Sequence, residues 1–170
     1  MELGVLLVVA VVLAVLLRAF VVQVFYVPST SMLPTLRPGD RILVDKLSYH
    51  LHAVGRGDVI VFRRPPAEHC GGPVVPDLVK RVIGLPGDHI SSRGNAVLID
   101  GRPIPQPWLP PGTVLGRAIE PTVVEPNHYY VLGDNRARSC DSRYWGQVPR
   151  SLVVGKVVAV VWPLSRLHLF

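Results

Sequence analysis

A serine hydroxyl becomes a nucleophile only when a neighbouring base takes its proton. Two serines stand in a short polar break, Ser29-Thr30-Ser31, between Pro28 and Met32. A lysine can be that base only when neutral, which its ordinary pKa near 10.4 forbids at pH 7. Removal from water disfavours the ammonium and lowers that pKa. Lys80 lies in such a setting, the apolar run Leu78-Val79-Lys80-Arg81-Val82-Ile83. A third polar block runs from Gly133-Asp134-Asn135 through Ser139 to Asp141-Ser142-Arg143. Each block also has a plainer reading. The serines suit a turn before Pro34, and Lys80 a solvated strand edge. Asp134 and Asn135 suit hairpin-turn chemistry, and Asp141 and Arg143 an i, i+2 surface pair of little energetic weight.

Other chemistries find no support. The chain has no G-x-x-x-x-G-K, H-E-x-x-H, G-x-S-x-G or S-x-x-K. Its six histidines are dispersed, and only His50 and His52 form a strand-like i, i+2 pair, without further ligands nearby. Two cysteines are too few for a disulfide scaffold or a four-cysteine zinc site. No metal and no cofactor is therefore expected. The net charge of +6 comes from dispersed basic residues, in pairs at most (Arg63-Arg64, Lys80-Arg81). Without a basic helix or zinc-finger spacing, nucleic acid is not an expected partner; an anionic phospholipid surface fits better.

The elements that must position these groups follow from the hydrophobic pattern. Hydrophobic residues make up 49% of the 170-residue chain and charged residues 18%, and the excess is concentrated at the N-terminus. Leu3 to Leu17 carries no charge, and AFVVQVFYV follows Arg18. Fifteen helical residues span about 22 Å, short of a hydrocarbon layer of about 30 Å, so the span must extend to Val22 or Val24 with Arg18 snorkelling. Glu2 before the run and bulky residues after it favour an uncleaved anchor over a signal peptide. Residues 1–25 are assigned to one transmembrane helix and residues 26–170 to a β-rich domain. In that domain short β-branched runs (Arg41–Asp45, Asp58–Phe62, Leu78–Ile83, Ala96–Ile99, His128–Leu132, Leu152–Trp162) alternate with Gly/Pro/Asp turns. This predicts an antiparallel sheet, with a proline-rich surface loop over 102–126. Leu152–Trp162 is too short for a second span and contains Lys156.

Three blocks in order, Pro28-Ser-Thr-Ser-Met-Leu-Pro34, Lys80-Arg-Val-Ile-Gly-Leu-Pro-Gly-Asp88 and Gly133-Asp-Asn-Arg-Ala-Arg-Ser-Cys-Asp-Ser-Arg-Tyr-Trp-Gly146, resemble the type I bacterial signal peptidases. The resemblance spans most of the chain, from Arg18-Ala-Phe20 to Trp162-Pro163, in the compact form without a large inserted domain. It implies that Ser31 is the nucleophile, Lys80 the general base, Ser29 an oxyanion donor beside Ser31, and Ser139 the residue that orients the lysine. Arg81, Asp134, Asp141 and Arg143 match positions that form supporting ion pairs. Phe25, Val27, Pro28, Met32, Leu36, Ile42 and Val79 match lipid-facing and pocket positions that admit small side chains. Cys140 departs from the family, which usually has a small residue there.

The implied function is removal of signal peptides from preproteins, with small residues at −1 and −3, by a single-pass enzyme of the cell membrane. Its catalytic domain would lie on the extracytoplasmic face, although the positive-inside rule points the other way, because Arg18, Arg37 and Arg41 flank the run. An even pair of cysteines in an oxidising compartment leaves two alternatives open, a Cys70–Cys140 disulfide or two unpaired thiols, one on a loop and one half-buried. Two other readings remain: an inactive membrane-tethered adaptor, which would lack a catalytic residue, and a repressor-type Ser/Lys autoprotease, which would carry a DNA-binding helix pair in place of Leu3–Val24.

Overall fold

The computed structural model describes residues 4–12, 21–71 and 75–170. Residues 4–12 are helical, and the chain then enters two antiparallel sheets. The larger sheet contains β1 (Val22–Tyr26), β2 (Arg41–Asp45), β3 (Val59–Arg63), β4 (Asp77–Gly84), β9 (His128–Leu132), β10 (Val148–Pro149) and β11 (Val153–Trp162). Its order is β1-β2-β11-β3-β4-β9-β10, and β12 (His168–Leu169) pairs with β11. The smaller sheet has the order β7-β6-β5-β8, from β5 (His89–Arg93), β6 (Ala96–Ile99), β7 (Arg102–Pro103) and β8 (Thr122–Val123).

Sequence pattern and burial agree strand by strand. β2 alternates, with Ile42 and Val44 buried and Arg41 exposed, because one face of it packs on the core. β3 is apolar without alternation because both of its faces are covered. Val59 and Val61 join Val27, Met32, Leu36 and Ile42 in one cluster, while Ile60 and Phe62 join Val82, Val131 and Trp145 in another. A third cluster, with Ile83, Ile90, Ile99 and Leu132, packs the small sheet against the end of β4.

Three Gly-Asp turns share one construction. Gly39, Gly57 and Gly87 have φ near +90°, which L side chains rarely adopt. The following aspartate accepts the N–H three residues back, as in Arg37 N to Asp40 Oδ2 at 2.8 Å and Gly55 N to Asp58 Oδ2 at 2.8 Å. Each aspartate then meets a cation: Asp40–Arg166 at 2.9 Å, Asp58–Lys156 at 2.7 Å and Asp88–Arg56 at 2.9 Å.

Several expectations need correction. Val22–Tyr26 is a strand paired with β2 (Val22 with Asp45, Tyr26 with Arg41), so the sheet begins inside the segment assigned to the anchor. No turn signal in the sequence separates these apolar residues from those before them. Residues 13–20, including Arg18, lie outside the described residues. Among the described residues no helix is long and apolar enough to cross a membrane. His50 lies in a one-turn helix, Ser48–Leu51, and His52 just after it, so they are not a strand pair. β5 was missed because His-Ile-Ser-Ser-Arg lacks a β-branched run.

Gly155 crosses β2 where a Cβ would stand 2.3 Å from the Asp45 carbonyl oxygen. Gly155→Ala is expected to lower unfolding free energy by about 1–3 kcal/mol, read from the urea midpoint at constant m-value.

Candidate active site

The loop between β1 and β2 is closed at its neck by backbone bonds, Val27 N to the Asp40 carbonyl and Gly39 N to the Val27 carbonyl, both 2.9 Å. Within it Leu36 N donates to the Met32 carbonyl, and both side chains are fully buried. These apolar anchors hold the turn down and leave Ser29 exposed and Ser31 partly exposed. Lys80 reaches the turn from β4 and is 4% exposed. Its Nζ donates to Ser31 Oγ at 2.7 Å, and Ser29 Oγ lies 3.2 Å from Ser31 Oγ.

Burial is the largest influence on the lysine. It lowers the pKa from 10.5 to about 8, against the opposing fields of Asp141, Glu68 and Asp134. Those carboxylates are each engaged by an arginine: Asp141 by Arg143, Glu68 by Arg64, and Asp134 by Arg81. None of them forms an ion pair with Lys80.

The strand's alternation sends Arg81 away from Lys80, to Asp134. Arg81 Nη2 donates to Asp134 Oδ2 at 2.7 Å and its Nε to Oδ1 at 2.9 Å, with the Asp134 side chain wholly buried. Asp134 Oδ2 also accepts the Thr35 hydroxyl at 2.5 Å, and Arg81 stacks over the Trp108 ring. Asn135 grips the serine turn directly: its N–H donates to the Ser31 carbonyl and its Nδ2 to the Thr30 carbonyl, both at 3.0 Å. Asp141 and Arg143 form a buried bidentate pair, with Nε to Oδ1 at 2.7 Å and Nη2 to Oδ2 at 2.8 Å. Asp141 also accepts Gly133 N, while Arg143 donates to the Leu115, Arg136 and Ser139 carbonyls. The plain reading of these two as a surface pair is therefore wrong.

Ser139 is buried beside Gly133, but its hydroxyl has no hydrogen-bond partner among the described residues. The expected bond to Lys80 is not made, because the amine is directed at Ser31.

A cavity of about 350 Å³ opens over Ser29, Ser31 and Lys80. Of the predicted pocket residues, Phe25, Pro28, Ile42 and Val79 line it. Val27, Met32 and Leu36 do not: they are packed in the core beneath, at 1% exposure or less. Sequence reasoning missed the far wall, formed by Arg64, Glu68, Arg138 and the disulfide Cys70–Cys140, whose Cα atoms are 6.2 Å apart. The sequence left open whether these two cysteines pair, and in the structure they do. Donor atoms of Glu68, Cys70 and Cys140 lie within 4.8 Å of one another, but the joined sulfurs are not thiolate ligands. Thr35 and Arg136 were also missed. Arg136 is buried, and its Nε donates to the Gly133 carbonyl. Its place inside the third polar block was the only available signal.

Asp134→Ala would leave Arg81 as a buried, unpaired cation. The expected cost is about 3–5 kcal/mol in chemical unfolding.

With this geometry in view, the comparisons are specific. The model of the family described as signal peptidase, peptidase S26, matches residues 1–162. A signal peptidase I of Leptolyngbya laminosa is 44% identical over 161 residues, covering 93% of this chain and 77% of that protein. One of Bacillus caldolyticus is 38% identical over 170 residues, covering 93% of this chain and 89% of that protein. The crystal structure of a signal peptidase I from Enterococcus faecalis superposes with a TM-score of 0.51 at 29% identity, covering 63% of this chain and 98% of that one. The mainly antiparallel β fold is thus the signal peptidase I fold, and the chain belongs to the signal peptidase family, peptidase S26, whose members are serine peptidases.

Proposed function

We propose that this enzyme removes N-terminal signal peptides from secreted preproteins through a Ser31/Lys80 dyad. The observation that carries the reading is the buried Lys80 amine, 2.7 Å from a serine hydroxyl at the floor of an open cleft. Neutral Lys80 takes the Ser31 proton as Ser31 Oγ attacks the scissile carbonyl. The amine then returns the proton to the departing N-terminus of the mature protein. A water, deprotonated by the same amine, releases the signal peptide from the ester on Ser31. The Ser29 hydroxyl, whose partner among the described residues is Ser31 Oγ, and the Ser31 N–H, uncommitted among them, supply donors for the oxyanion. Ser139 offers a free hydroxyl to hold the amine once Ser31 is acylated. The Arg81–Asp134 and Asp141–Arg143 pairs hold the surrounding backbone in place.

The substrate enters as an extended segment. β9 pairs with β4 only from Arg81 onward, so among the described residues Asp77–Lys80 has a strand partner on one edge alone, β3. A peptide added to the free edge passes Ser31 with alternate side chains directed into the cleft. Walls of Phe25, Ile42 and Val79 leave room for small residues at −1 and −3 and reject large ones sterically.

The apolar N-terminal run anchors this domain to the membrane, and the anchor ends before Val22. Val5, Leu6, Leu7, Val8, Val9, Val11 and Val12 of the helical stretch are all more than half exposed, as lipid contact requires. The domain lies on the extracytoplasmic side, where preproteins emerge, and the disulfide suits an oxidising compartment.

Turnover on a preprotein in detergent micelles should rise about tenfold per pH unit up to about pH 8 and level off above it, because the protonated amine cannot accept. Lys80→Arg and Ser31→Ala should be inactive with the fold retained. A profile flat from pH 6 to 9, or an active Lys80→Arg enzyme, would assign the base elsewhere. Preproteins with Leu or Phe at −1 should be cut at least about tenfold more slowly than those with Ala.

A further inference from the structure

Arg166 lies outside the three motif blocks and does not line the cleft. It follows β11, in the short helical turn Leu164–Arg166. Its Nε donates to Asp40 Oδ1 at 2.9 Å, and its Nη2 to Asp40 Oδ2 at 3.0 Å and to the Thr35 carbonyl at 3.3 Å. Asp40 is 1% exposed and closes the neck of the serine loop through its carbonyl and side chain. Thr35 is therefore held twice: its hydroxyl by Asp134, itself paired with Arg81, and its carbonyl by Arg166. Between Thr35 and the neck at Val27 lie both Ser29 and Ser31.

We propose that Arg166 is a positioning residue for the nucleophile, clamping the loop through Asp40 and the Thr35 carbonyl. The inference rests on the reading of Ser31 and Lys80 as the catalytic dyad. The guanidinium suits the task, because its planar fork holds both Asp40 oxygens and leaves one N–H for the Thr35 carbonyl. An ammonium can hold Asp40 only as a point charge. Loss of the clamp frees the loop to carry Ser31 Oγ away from Lys80 Nζ. Small displacements of this kind slow chemistry without changing a substrate-binding wall to which Arg166 does not contribute.

A cavity of about 510 Å³ lined by Thr35, Arg81, Trp108 and Arg166 lies beside the clamp and gives a small guanidinium room to enter. In full-length enzyme in detergent micelles, Arg166→Ala is expected to lower kcat on a preprotein at least about tenfold with KM within about twofold. Arg166→Lys should fall between Ala and wild type, and millimolar ethylguanidinium should restore part of kcat to Arg166→Ala while leaving wild type unchanged. Arg150→Ala removes a different set of arginine bonds, to the Tyr49 carbonyl and the Tyr129 hydroxyl, from a residue that does not line the cleft, and should keep its kcat. Wild-type kcat in Arg166→Ala, a change in KM alone, an equal loss in Arg150→Ala, or no recovery with either lysine or ethylguanidinium overturns the proposal. If Arg166→Ala does not fold at the assay temperature, Arg166→Lys decides, and wild-type kcat there overturns it. Ser31→Ala and Lys80→Ala measured alongside separate the two levels: activity in either one defeats the dyad reading, whereas their inactivity beside a fully active Arg166→Ala defeats the clamp alone.

Discussion

The contact between a buried lysine amine and a serine hydroxyl constrains everything around it. Water stabilises an ammonium strongly, and Lys80 has given up nearly all of it. A drop in pKa from 10.5 to about 8 corresponds to roughly 3 kcal/mol of preference for the neutral amine. About one amine in ten is then neutral at pH 7, against about one in three thousand for a free lysine. Any carboxylate free to pair with the amine would reverse this. Three acids are near enough to act on it, and each is tied to an arginine. These arginines thus do more than brace loops, because each holds a carboxylate that could otherwise pair with the amine.

The serine loop has no regular secondary structure, so its geometry comes from restraints at several points. Met32 and Leu36 hold it from below by burial, and Asn135 holds two of its carbonyls. Asp40, in the first of three similarly built Gly-Asp turns, closes it at the base. Each such turn ends on an aspartate that satisfies its own backbone and also meets a cation from elsewhere in the chain. Local turn chemistry and long-range pairing therefore reinforce one another, which keeps short connections rigid between twisted strands. Gly133 belongs to the same packing. A Cβ there would stand 2.1 Å from Ser139 Oγ and 2.4 Å from the Ser31 carbonyl, so two loops meet through a position with no side chain.

The cleft joins a wall supplied by β1, β2 and β4 to a wall supplied by two loops. The disulfide links Cys70, after β3, to Cys140, next to Ser139, across 70 residues of chain. The Arg64–Glu68 pair braces the same loop four residues apart, and Glu68 accepts the Cys70 N–H. The wall facing the serines is thus covalently attached to the block that contacts Ser31, which limits how far the cleft can open.

Much of this was legible in the residues themselves. The strands Arg41–Asp45, Ala96–Ile99 and His128–Leu132 were read at their observed bounds, since turn residues bracket each run. The polar blocks around Ser31, Lys80 and Asp134 are distinctive enough to indicate the family, and the apolar setting of Lys80 already implied a lowered pKa. That Val22–Tyr26 belongs to the sheet was not legible, because an apolar residue satisfies lipid and a sheet equally and only pairing with β2 identifies it as strand. Nor was it legible which apolar neighbours of the serines face the cleft. Phe25, Ile42 and Val79 do, while Val27, Met32 and Leu36 turn into the core, a choice made by loop geometry that no periodicity encodes. The long-range partners were equally hidden, from Arg166 at Asp40 to Glu68 beside the disulfide. A side chain's type and its neighbours in the chain determine what chemistry it can do. Which groups it meets across a hundred residues, and how much water it keeps, depends on the packed fold alone.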